Sequence, residues 1–145
     1  MNDRPSLALA ASGQVANAQL KKALAAHGLK PGHGHVLLLL SHEGATSQQA
    51  LTESLGVDPS VLVVMLNDLE RDGLAERRRD PADRRRHIVE ISARGTKLVA
   101  DLDRAIDAVE VALFADLDAA EISTLQDLLA RVKAPADAAS CADEH

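Results

Sequence analysis

Apolar residues along this chain recur mostly at helical spacing. Leu7 to His27, rich in Ala, Leu, Gln and Lys, predicts a first helix, closed by Gly28 with Pro31 three residues on. Gly32 to His42 predicts a second. Its run Val36-Leu37-Leu38-Leu39-Leu40 reads as buried, and five apolar residues in a row suit a buried strand as well. Thr46 or Ser47 can cap a short third helix, Gln48 to Leu55, which Gly56 ends. Asp58 then caps a fourth, with Pro59 at the first helical position, where its missing N–H is no loss. Leu62, Met65, Leu66 and Leu69 give that helix a buried face, and Gly73 stops it. Two helices joined by Gly56-Val57-Asp58 make a helix-turn-helix.

After Gly73 the period changes. Leu74 to Arg78 and His87 to Ile91 read as two strands, with Asp80-Pro81-Ala82-Asp83 supplying turn chemistry between them. This predicts a β-hairpin with an arginine-lined tip. Ser92 can cap a long fifth helix to about Leu117, striped by Leu98, Leu102, Ile106, Val109, Leu113 and Leu117. Such a helix is roughly 30–35 Å long, more than a small domain needs to cover itself, and is expected to pack against a partner chain. Asp118-x-x-Glu121 is a capping box that opens a last helix to about Val132, apolar at Ile122, Leu125, Leu128, Leu129 and Val132. After Pro135, an Ala/Asp/Glu tail with Cys141 and His145 is expected to be disordered.

Composition narrows the function. With 145 residues, 46% hydrophobic and 26% charged, the chain suits one core or two closely joined subdomains. The longest apolar run, Val61 to Leu66, is far below the roughly 20 residues of a membrane helix. No charged-then-apolar leader follows Met1, and a single cysteine excludes an internal disulfide or a multi-cysteine zinc site, so a cytoplasmic setting is expected. One phenylalanine and no Trp or Tyr exclude an aromatic stacking platform for single strands or RNA. No nucleophile elbow, phosphate loop or metal triad is present, which argues against an enzyme.

Net charge is −6, which argues against a nucleic-acid partner until its distribution is read. Residues 71–97 hold nine of the 16 bases and five of the 22 acids, a local excess of four positive charges. The rest of the chain is acidic. A basic segment inside an acidic chain is a local electrostatic footprint, although a solvated charged loop gives the same pattern.

Three segments stand in order: Leu69-Glu70-Arg71-Asp72-Gly73-Leu74 leading to Arg77, then Asp80-Pro81-Ala82-Asp83-Arg84-Arg85, then Ile91-Ser92-x-x-Gly95. They resemble the recognition-helix end, the wing signature and the start of the long dimer helix in the MarR family of bacterial winged-helix transcription regulators. The resemblance covers about residues 7 to 133. It implies a mainly α fold with a small β-hairpin: a winged helix-turn-helix domain plus a helical dimerisation lobe. Residues 1–30 would be an N-terminal dimerisation helix, 31–92 the DNA-binding domain, 93–134 the C-terminal dimerisation helices and 135–145 the disordered tail. The implied function is a sequence-specific regulator, a ligand-responsive repressor binding a pseudo-palindromic operator as a homodimer, with no cofactor and no metal.

By the same resemblance the groove-facing positions of the recognition helix are Pro59, Ser60, Val61, Val63, Val64 and Asn67. Ser60 can serve a base or a phosphate, whereas Val61 and Val63 could touch only a thymine methyl, so base readout is expected to be thin. Arg85 matches the wing-tip arginine that enters the minor groove. Asp83 matches the acid that orients the wing by pairing with an arginine, and Arg77 is the candidate partner. Arg84, Arg86, Arg78 and Arg79 are candidate phosphate contacts. Ser47, Gln48 and Gln49 open the preceding helix, whose N-terminus suits a phosphate, although Ser47 is equally a structural cap.

His27, His33, His35 and His42 lie near the junction of the first two helices, where the family's pocket for a small aromatic or phenolic effector would sit. Each reads as an ordinary surface or capping histidine as well. Zinc is disfavoured, since no paired histidine stands on the long helix and no cysteine is near. Two other readings stay open: a winged helix that binds protein, suggested by the valine-rich recognition helix, and a weakly specific DNA binder.

Overall fold

The chain runs α1 (Pro5–Ala25), α2 (Pro31–Glu43), β1 (Thr46–Ser47), α3 (Gln48–Leu55), α4 (Pro59–Arg71), β2 (Ala75–Arg79), β3 (His87–Ile91), α5 (Ala93–Leu113) and α6 (Ala119–Ala130). The structure is a computed structural model that describes residues 3–133. It divides into two compact units, one up to Val109 and one from Glu110, so the boundary falls inside α5. The expected disordered tail, Cys141 and His145 lie outside the described residues.

The run Val36–Leu40 is helix, which settles the alternative of a strand. Val36, Leu37 and Leu40 are fully buried and Leu38 and Leu39 pack partly against the core, so α2 is apolar around most of its circumference. Around it gather Leu51 of α3, Leu62, Leu66 and Leu69 of α4, Val89 of β3 and Leu102 of α5. No buried polar or charged residue interrupts this core among the described residues. It is aliphatic throughout, so its stability comes from close packing of leucine and valine. Leu66→Ala is expected to lower unfolding free energy by about 2–5 kcal/mol in urea. A loss below about 1 kcal/mol would mean that α4 is not keyed into this core.

The expected hairpin is one part of a three-stranded sheet, in the order β1-β3-β2 with both pairings antiparallel. Thr46 pairs with Val89 and Ser47 with Ile88. A two-residue strand is too short to show alternation, so no periodicity announces it. Element ends also move. The first helix begins at Pro5 and stops at Ala25. The fifth stops at Leu113, four residues before the expected end, where Leu117 N–H bonds back to Phe114 O and tightens the chain into a turn.

In the second unit the capping box forms as written. Asp118 Oδ1 accepts the Glu121 N–H at 2.8 Å and Glu121 Oε1 accepts the Asp118 N–H at 3.0 Å. None of the α6 residues is buried. Among the described residues no helix is long and apolar enough to cross a membrane.

Candidate nucleic-acid interface

Local capping sets the two helices of the helix-turn-helix. Ser47 closes the N-terminus of α3, its Oγ accepting the Ala50 N–H at 3.0 Å. Gly56 ends that helix at φ +64°, a left-handed conformation in which a side chain would be strained. Asp58 Oδ1 then accepts both the Ser60 N–H, at 2.8 Å, and the Ser60 hydroxyl, at 2.6 Å. These two bonds hold the Asp58 carboxyl below the usual carboxylate range. They also commit the Ser60 hydroxyl to the cap.

With Leu62, Met65, Leu66 and Leu69 turned inward, α4 presents Ser60, Val61, Val64, Asn67 and Arg71 outward. Val63 is half-buried.

The wing is the loop between Arg79 and His87, and it organises itself. Asp80 Oδ1 accepts the Ala82 N–H at 2.9 Å, the Arg86 N–H bonds Asp83 O at 2.9 Å, and the Asp80 N–H bonds Arg86 O at 2.9 Å. Asp83 Oδ1 accepts the Arg85 N–H at 3.1 Å and its Nε–H at 3.2 Å. The backbone N–H and guanidinium of Arg85, with the charge of Arg86 behind them, hold the Asp83 carboxyl below its ordinary range. Arg79 Nη1 donates to Arg84 O at 2.8 Å, and Arg78 lies 3.7 Å from Glu90. The Arg85 side chain is left 92% exposed.

Asp83 therefore does not pair with Arg77. Arg77 Nε donates to Glu70 Oε1 at 2.5 Å and its Nη2 donates to Asn67 Oδ1. The strand register explains the difference: Arg77 stands opposite Val89, two pairs back from the hairpin's open end, where its side chain meets α4. At 21% exposure, this side chain fastens β2 to the edge of α4. Asn67 gives up its carbonyl oxygen to the same contact.

Ser47, Gln48, Gln49, Thr52 and Pro59 face Arg85, Arg86 and His87 across a groove of about 280 Å³. Six of the residues singled out in the sequence meet here. Ser60 and Arg84 are exposed outside it, while Val63, Asn67 and Arg77 take no part. Thr52 and His87 were missed. Thr52 stands one turn on from Gln48, whose carbonyl its hydroxyl bonds at 3.0 Å, and His87 follows Arg86 directly, so helical spacing and adjacency were the available signals.

The four histidines do not converge, and His42 is exposed. His33 Nε2 lies 2.9 Å from Asp68 Oδ2 with its ring only 15% exposed, linking α2 to α4. His35 is exposed. His27 lines a cleft of about 540 Å³ with Leu29, Leu98, Arg94, Lys97 and Asp101 among its walls. Among the described residues no three metal-ligating side chains come together.

The hydrogen bond from His33, and behind it the charge of Arg71, lower the Asp68 carboxyl. A carboxylate depressed in the folded state stabilises the fold above its ordinary pKa of 3.8 and loses that contribution as pH falls through the folded value. Asp68→Asn is thus expected to be less stable than the parent near neutral pH, with the gap narrowing below about pH 4. Thermal unfolding across pH 3 to 7 reads this, and a gap that widens on acidification would contradict it.

Residues 27–86 match the family model described as MarR family. Over these residues the chain is similar to the MarR family, and its fold there is a winged helix. A Thauera aromatica protein, described as a candidate transcriptional regulator of the hcr operon, is 33% identical over 105 residues, covering 72% of this chain. The HTH-type transcriptional regulator YdgJ of Bacillus subtilis is 28% identical over 106 residues, covering 73% of this chain. This chain spans 63% and 65% of the lengths of those two relatives. Among solved structures, a mutant MarR of E. coli complexed with operator DNA superposes with a TM-score of 0.78 at 23% identity, covering 89% of this chain and 93% of that one. CouR of Rhodococcus jostii RHA1, bound to p-coumaroyl-CoA, gives 0.78 at 24% identity, with 88% and 89% covered. At such identities these two establish the fold.

Proposed function

We propose that this chain is a transcription regulator, not an enzyme, that binds double-stranded DNA through the face made by α3, α4 and the wing. The observation that carries this reading is the groove that sets the N-terminal ends of α3 and α4 against Arg85 and Arg86. A helix N-terminus offers backbone N–H groups to phosphate, and an exposed arginine beside it suits the minor groove. Ser47, Gln48 and Gln49 hold one phosphate stretch, Arg84 and Arg86 another, and Arg85 enters the minor groove. Asn67 and Arg77 act indirectly by holding the wing on α4.

The regulator works in the cytoplasm as a homodimer, a repressor on a pseudo-palindromic operator. Residues 1–30 and 93–134 serve dimerisation, and 31–92 serve DNA binding. Exposed apolar side chains support the first part: Leu7, Leu9 and Val15 on α1, and Val111, Leu128, Leu129 and Val132 in the second unit. A small aromatic or phenolic effector releases the DNA. CouR offers a relative with a phenol-bearing ligand, and His27 in its cleft, beside Arg94 and Lys97, suits a carboxylate or phenolate. His33 and His35 drop out of this pocket, the first occupied by Asp68 and the second exposed.

Footprinting on the DNA upstream of the chain's own gene tests the reading. Two protected half-sites, centred roughly 34–36 Å or one helical turn apart, are expected. Protection of a single half-site would overturn the dimer, and no protection would overturn DNA recognition there. In the second case the exposed apolar pair on α4 would favour a protein-binding winged helix.

A further inference from the structure

We infer that the recognition helix reads thymine methyl groups through Val61 and Val64, so the DNA sites of this protein carry thymines where the N-terminal half of α4 enters the major groove. The inference rests on the DNA-binding reading above and names the chemistry by which sequence is told apart. The outward stripe of α4 is Ser60, Val61, Val64 and Asn67. Its polar ends are already engaged. The Ser60 hydroxyl donates to Asp58, and the Asn67 carbonyl oxygen accepts from Arg77. Between them stand two isopropyl groups with no polar atom, at 48% and 59% exposure.

Val61 and Val64 are three residues apart on one helix face, so their side chains lie about 5–6 Å from each other. That separation spans one to two base-pair steps. Of the four bases, only thymine presents an apolar group in the major groove, its C5-methyl. A valine pair in that position therefore has one favourable base partner. Val63 is half-buried and does not share this face. An apolar protein groove would be a poor alternative occupant, because Arg85 and Arg86 line the groove at the N-terminal end of α4 and favour a polyanion.

Deoxyuridine differs from thymidine only by this methyl, with the same phosphates and pairing edge. The probe is the upstream duplex amplified with either thymidine or deoxyuridine triphosphate, titrated with the full chain. Burying one methyl is worth about three- to fourfold in affinity, so several methyls across a site give about tenfold or more. The parent protein is expected to prefer the thymidine duplex by about that factor. The variant V61A/V64A, at exposed positions where alanine favours helix, is expected to remain folded and to bind both duplexes alike. Equal binding of both duplexes by the parent would overturn the inference while leaving the DNA reading intact. So would full preference retained by the variant. Binding of neither duplex would overturn both readings, and the valine pair would then mark a protein contact.

Discussion

Replacing Arg84 and Arg85 together by alanine is expected to weaken binding to duplex DNA by at least about tenfold at low salt and to flatten its salt dependence. Each arginine that neutralises a phosphate releases counterions, and its removal lowers the slope of log affinity against log salt by about 0.9. Two such losses per protomer are expected to be visible over a fourfold change in salt. The side chains can be removed without harm to the fold. Arg85 is almost wholly exposed, Arg84 contributes only its backbone carbonyl, and of the wing's hydrogen bonds only the one from Arg85 Nε to Asp83 Oδ1 would be lost. Melting temperature is therefore expected to stay within a few degrees of the parent. Unchanged affinity and slope in a folded variant would mean that the wing does not reach DNA. Removing Glu70 instead should act through Arg77, loosening β2 on α4 without removing a cation from the face.

Gly95→Ala is the second large effect, and it acts on the fold. Alanine is the better helix former, by about 1 kcal/mol, so propensity alone predicts stabilisation within α5. Packing reverses the sign. A Cβ at position 95 would lie 2.2 Å from the carbonyl oxygen of Leu74 and 2.7 Å from Ile91 Cγ1. The backbone cannot easily give way, because the same carbonyl accepts the Ser92 N–H at 3.0 Å. Ser92 in turn donates its hydroxyl to Gly73 O at 2.7 Å and accepts the Gly95 N–H at 3.0 Å. Overpacking against a held carbonyl is expected to cost about 2–4 kcal/mol, or about 10 °C in melting temperature. Gly13→Ala is the contrast: nothing lies within 4 Å of its added Cβ, so the helix gain of about 0.5–1 kcal/mol stands alone. Stabilisation by both substitutions would contradict the close approach of α5 to the turn before β2.

Much of the fold was legible because its signals are local. Asp58-Pro59, Asp118-x-x-Glu121 and the Gln48–Leu55 helix appear where capping chemistry places them. The three motif segments were enough to name the MarR family and its winged helix. What could not be read depends on contacts remote in sequence or on exact helical phase. The pairing of Thr46 with Val89 joins residues 43 apart and involves two residues without a pattern of their own. Analogy pairs Arg77 with Asp83, whereas the strand register turns it toward Glu70. His33 looked like a ligand candidate because its partner, Asp68, is 35 residues away. Within α4 the inward leucines were clear, but the choice between Val63 and Val64 as the outward residue needs the helix seated on its core.

The most direct measurement is an equilibrium titration of the purified chain against its own upstream duplex and a scrambled one, each at about 50 mM and about 200 mM salt. The account predicts tight binding to the upstream duplex alone, falling steeply as salt rises. Equal, salt-sensitive binding to both would leave only a weakly specific DNA binder, and absence of binding to either at the lower salt would contradict the assignment of this face to DNA.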